Sequence, residues 1–95
     1  MNGHEHTIAD LLKQVYERMD MVDAVQELQV RQAYYGAVGD LIGRLTKEVH
    51  FANGELRVKL LSAALRNELG YKKQDLIDRI NQLLNVPAVK KIILQ

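Results

Sequence analysis

Polar and apolar residues alternate most strictly between Val49 and Leu60, on both sides of Asn53-Gly54. An Asn-Gly pair between alternating runs predicts a two-residue hairpin, because a type I′ turn needs positive φ at both central positions. A loop of that length also fixes the register. Ala52 then faces Glu55, Phe51 faces Leu56, His50 faces Arg57, Val49 faces Val58 and Glu48 faces Lys59. Val49, Phe51, Leu56 and Val58 share one face, which is the core face. Glu48, His50, Arg57 and Lys59 share the other, a solvent or binding face. The opposite charges of Glu48 and Lys59 agree with this register.

Helical spacing organises the rest of the chain. Ile8, Leu11, Leu12, Val15, Tyr16 and Met19 predict a first helix over about 8–20, entered through Thr7 as N-cap with Asp10 three residues on. Asp23 predicts the cap of a second helix, with Gln26 at its third position and Val25, Leu28, Tyr35, Val38, Ile42 and Leu45 along it. Gly36, Gly39 and Gly43 interrupt that pattern, at about 0.5–1 kcal/mol each relative to alanine. They predict close packing on a neighbour, with a break near Gly39 as the alternative. Tyr34 and Tyr35 point about 100° apart on a helix and cannot form one stacking platform, so at least one belongs to the core or its rim.

Beyond the hairpin, Ser62 is a candidate N-cap for a stretch containing Leu65 and Leu69. Gly70-Tyr71-Lys72-Lys73 follows, and periodicity resumes at Leu76, Ile77, Ile80, Leu83 and Leu84. This is one long helix or two meeting at Gly70. Asn85-Val86-Pro87 ends it, and Ala88 to Leu94 predicts a last strand returning to the same sheet. The expected class is α+β, in the order α-α-β-β-α(-α)-β, with a small three-stranded mixed sheet packed against helices.

Composition sets the outer bounds. Ninety-five residues, 47% of them hydrophobic and 26% charged, make one domain. We expect it over residues 7–95, after a disordered start at 1–6. The chain has no cysteine, which excludes disulfides and thiolate metal sites. Charges in the first twenty residues leave no apolar signal core, and no run approaches the ~18 apolar residues of a transmembrane helix. The expectation is a cytoplasmic protein without membrane contact.

The net charge of +1 is uninformative, but its distribution is not. Residues 1–28 carry two bases against six acids, a net of −4, and residues 29–95 carry eleven against six, a net of +5. Such a split can steer an anionic partner to one side of a domain.

Catalytic chemistry is sparse. Ser62 is the only serine, and its place at a helix start gives it a capping role. Phosphate loops and dinucleotide fingerprints are missing. Asp75 and Asp78 share a helix without a third ligand. His4 and His6 lack the further ligands a metal site needs. The expectation is a protein that is not an enzyme, with no cofactor, no metal and no small-molecule substrate.

Gly70 to Lys73 carries the most informative chemistry. If two helices meet there, the amides opening the second are unsatisfied and carry partial positive charge. Lys72 and Lys73 add formal charge beside a glycine that permits close approach, a set that suits a phosphate. Arg57 and Lys59 on the outer sheet face, Arg66, Lys90 and Lys91 before the last strand, and also Arg44 and Lys47, could extend it. If the helix instead runs through Gly70, the two lysines are its wetted face.

From Tyr34 to Leu94 the chain resembles the bacterial DciA-like family of replicative-helicase operators or loaders. The likeness runs through YYGAVGDLIGRLT, VHFANGELRVKLLSAALRNEL, DLIDRINQLL and VKKIIL, and it is similar to a short form seen in Bacteroidetes-type sequences. Residues 7–33 match in helical pattern alone. The resemblance implies a KH-like fold, a β–α–α–β core preceded by a helix and a strand. It places Gly70 to Lys73 in the slot of the loop that clamps a nucleic-acid backbone. Tyr34 stands where relatives commonly have Trp, and Lys73 where a KH-type loop has a second glycine.

By that resemblance, Gly70, Lys72, Lys73, Arg57, Lys59 and Arg66 are the candidate nucleic-acid-binding residues. The implied partners are single-stranded or forked DNA, or RNA, and the replicative helicase. The implied function is a non-enzymatic module that assists helicase loading or activity. A protein-binding adaptor without nucleic-acid affinity and an RNA-binding KH-like module are the alternatives.

Overall fold

The computed structural model describes residues 7–95. It opens on one long helix, α1 (Ile8–Arg44), followed by strands β1 (Thr46–Ala52) and β2 (Glu55–Leu60). Helices α2 (Ala63–Gly70) and α3 (Lys73–Leu84) come next, and strand β3 (Lys91–Leu94) closes the fold. The sheet order is β1-β2-β3, with β1 and β2 antiparallel and β2 and β3 parallel. This is the expected α+β class with a three-stranded mixed sheet against helices. The β2-α2-α3-β3 run is the implied β–α–α–β core. The disordered start expected at 1–6, with His4 and His6, lies outside the described residues.

The hairpin has the expected register throughout, from Glu48 against Lys59 to Ala52 against Glu55. Asn53 and Gly54 have φ of 53° and 78°, both positive as a type I′ turn requires. Gly54 is also pressed from outside, since a Cβ there would sit 3.1 Å from Lys90 Cγ. Its carbonyl accepts from the amides of Lys90 and Lys91, which sets the start of β3 against the turn.

Val49, Phe51, Leu56 and Val58 are buried, with Ile92 of β3 beside them. Against this face pack Val30, Ala33, Tyr34 and Ala37 of α1 and Leu76 and Ile80 of α3. Each large side chain fully buried here contributes about 1.5–3 kcal/mol. Two polar devices hold the layers together. Asn81 donates through Nδ2 to the Val89 carbonyl and accepts the Val89 amide on Oδ1, both at 2.9 Å. Arg79 donates from α3 to the Ala37 carbonyl of α1 at 3.1 Å.

Three expectations are corrected. The joint expected between residues 20 and 23 does not exist: helix runs through it, and Asp23 is an interior, exposed position rather than a cap. No Gly or Pro lies between Ile8 and Tyr35, and an exposed Asp costs a helix only a few tenths of a kcal/mol. The break falls at Gly39, with φ 82° and ψ 179°, a conformation essentially reserved for glycine. Two residues before that break, the Ala37 carbonyl accepts from Arg79. Of the three glycines, Gly43 is the tightest, its added Cβ 3.3 Å from Tyr35 Cδ1 of the same helix. Gly36 would make ordinary contact with Leu83 Cδ1 of α3 at 3.6 Å, and Gly39 would meet nothing within 4 Å.

The last strand is shorter than Ala88 to Leu94, because Val89 and Lys90 are held by Asn81 and Gly54 instead of a strand ladder. At the N-terminus the expected capping box is present, Thr7 Oγ1 accepting from Asp10 and the Asp10 carboxylate from Thr7. The molecule measures 64 × 24 × 20 Å, because about the first half of α1 projects beyond the sheet.

Candidate nucleic-acid interface

Two helices do meet at Gly70. Ser62 caps α2 through the Leu65 amide at 3.2 Å, and α2 ends as the Tyr71 and Lys72 amides fold back onto the Glu68 and Leu69 carbonyls. Lys72 then stands at the N-cap of α3, with no side-chain cap bond. The first bond of α3 runs from the Leu76 amide to the Lys72 carbonyl. The amides of Lys73, Gln74 and Asp75 therefore precede the helical ladder and point outward with partial positive charge.

Gly70, Tyr71, Lys72 and Lys73 are all exposed, and open space surrounds Gly70, where an added Cβ meets nothing within 4 Å. Arg66 lies one helical turn before Gly70 and is exposed beside the turn. The turn thus carries two cations and three free amides, with Arg66 one helical turn upstream. Asp75 in the first turn of α3 stabilises the helix start but opposes an anion there.

Arg57 and Lys59 belong to a different surface. Their neighbours Leu56 and Val58 enter the core beneath the helices, so by strand alternation Arg57 and Lys59 leave from the opposite face. Lys91 shares that outer face, paired in register with Glu55. Lys90 sits over Gly54 at the hairpin end. The Arg57 charge is offset: its Nε donates to Glu55 at 2.7 Å. On β1, His50 Nδ1 lies 3.0 Å from Glu27 of α1. Gly70, Lys72 and Lys73 share the α2–α3 turn with Arg66 one helical turn before it, and Arg57 and Lys59 lie on the outer face of the sheet.

The Glu55 pairing was available to sequence reasoning, since residues two apart on a strand share a face. Asp75 could also have been read as the acid of a helix first turn. A groove along the β1 edge, lined by Arg31, Tyr35, Lys47, Glu48 and His50, had no sequence signal because its parts come from two distant elements. Tyr34 is buried and Tyr35 stands at the rim, their rings edge-to-face with centroids 5.3 Å apart.

Among the described residues no charged side chain is buried, and no group of three His, Cys, Asp or Glu is placed to hold a metal ion. No described helix is long and apolar enough to cross a membrane. Residues 7–94 match the model of one protein family, described as "Dna[CI] antecedent, DciA". No curated protein matches the chain at a significant level.

Proposed function

The chain belongs to the DciA family, which acts in helicase loading during replication, and on that premise we propose that it is a non-enzymatic nucleic-acid-binding module working beside the replicative helicase. The observation that carries the nucleic-acid part is the α2–α3 turn. There Lys72 and Lys73 stand beside a glycine and three uncapped amides, with Arg66 one helical turn upstream, within the β–α–α–β unit. Such a site holds backbone phosphates and reads no sequence. Arg57, Lys59 and Lys91 supply a second, weaker contact for a strand that wraps past the sheet edge.

A fluorescence-anisotropy titration of labelled single strands at two salt concentrations tests it. Phosphate binding weakens steeply with salt. A protein-binding adaptor is the second reading, favoured by the two acids, Glu55 and Asp75, that stand against the cations. A pull-down from the native cell extract, with and without nuclease, separates them. Helicase recovered only without nuclease means that nucleic acid bridges the two, and helicase recovered equally in both supports the adaptor.

A further inference from the structure

The N-terminal arm of α1 carries an apolar stripe that nothing among the described residues covers. Ile8, Leu12, Val15, Met19 and Val22 are each about half exposed or more, and Leu11, Tyr16 and Val25 flank them with similar exposure. The spacing of Ile8, Leu12, Val15, Met19, Val22 and Gln26 alternates four and three, the period of a coiled-coil seam. An isolated helix of this length is marginal in water, and most helical stability comes from packing an amphipathic face. A contiguous apolar stripe of this kind marks an interaction surface.

We propose that the stripe is covered by the same stripe of a second copy of this chain, in an antiparallel pair. The fold itself selects the direction. The stripe continues as Val30, Ala33 and Ala37, which the chain's own sheet covers, and Glu27 is already tied to His50. A parallel copy would carry its helix into the space that this sheet occupies. An antiparallel copy lies over the arm alone and places its folded body beyond Ile8.

The register follows from the seam. Ile8 lies against Gln26 of the second copy, Leu12 against Val22 and Val15 against Met19, so every layer pairs an a position with a d position. Tyr16 meets its own copy beside the axis. The free arm, 8–26, is as long as the seam it must cover. Two stripes together bury on the order of 1,000 Å², the size at which specific interfaces begin.

Charge does not point to a basic partner instead. Asp10 and Glu17 lie on the opposite face of the helix and do not frame the stripe, while Arg18 and Asp23, one of each sign, border it. Arg18 meets its own copy near the axis, and the arms carry a net negative charge. Salt therefore strengthens this pairing by screening, the opposite of its effect on phosphate binding.

The test uses the full chain without nucleic acid. Sedimentation equilibrium is expected to give twice the 10.8 kDa chain mass as concentration rises, with association tighter at high salt. Val15→Glu with Met19→Glu returns it to monomer while the hairpin amide signals stay in place. Because the chain has no cysteine, Leu12→Cys mixed with Val22→Cys cross-links on oxidation, and Leu12→Cys alone does not. Monomer mass at every concentration overturns the proposal, as does self-cross-linking of Leu12→Cys. These results leave the nucleic-acid reading untouched, since neither measurement involves it.

Discussion

The Tyr34 hydroxyl lies 2.9 Å from Thr46 Oγ1, and Thr46 has already committed its proton to the Ile42 carbonyl at 2.8 Å. Tyr34 is therefore the donor. This short relay binds the middle of α1 to its last turn and to the start of β1, and it satisfies a ring that is otherwise wholly inside the core. Burial raises the Tyr34 pKa above the usual 10.0, more than the Thr46 bond lowers it.

Tyr34→Phe is expected to cost about 0.5–1.5 kcal/mol by denaturant unfolding near neutral pH, from loss of one hydrogen bond. The pH sign is separate. A folded pKa above the unfolded value means that the native state holds the proton longer, so stability falls as pH rises above about 10. The Phe variant should lose less stability than wild type across that alkaline range. Equal losses in both proteins would remove Tyr34 as the source.

Val58→Ala should cost about 1–3 kcal/mol, because the side chain is wholly buried beneath the helices and leaves a cavity. Gly54→Ala should also destabilise, through positive φ and the Lys90 side chain 3.1 Å from the new Cβ. Urea midpoints measure both.

Gly39→Ala is expected to destabilise by about 1–3 kcal/mol although an added Cβ has open space around it, since the cost is conformational. Gly70→Ala, also in open space but inside a helix, should be neutral or mildly stabilising. Thermal melts of the two variants that shift together would contradict this assignment.

How far the sequence spoke depended on whether a feature was local. The hairpin was legible to the residue, because a two-residue loop and the face alternation each fix the register. The α2–α3 junction was legible as an alternative at Gly70. The continuity of α1 was not. Asp23 has the chemistry of a cap, but no Gly or Pro lies between Ile8 and Tyr35 to stop the helix, so it runs on. The site was half legible. The turn from Gly70 to Lys73 is contiguous, but the separation of Arg57 and Lys59 from it depends on which sheet face the helices cover.

The double change Lys72→Ala and Lys73→Ala should leave folding within about ±0.5 kcal/mol, as both residues are exposed. Binding to labelled single strands should weaken for all sequences alike, with the salt slope flatter by roughly 0.7 per lost contact. Lys→Glu at both should abolish it. Unchanged affinity and slope in the alanine variant would make the pair a wetted helix face.

Chemical-shift mapping with a short single strand should perturb residues after 40 far more than residues 8–28, because the basic charge lies in the later part of the chain. Comparable shifts in both halves would show that the charge split does not direct the ligand.

Because α1 passes from arm to body without a joint, the two share one rotational phase. One residue inserted between Val22 and Glu27 would swing the whole arm by about 100° around the helix axis and carry its stripe off the side on which the sheet lies. Seven inserted residues would lengthen the arm and turn it by only about 20°. Length along this helix is thus open to change in steps close to whole turns, such as seven or eleven residues, while a step of one or two re-aims one end of the molecule relative to the other.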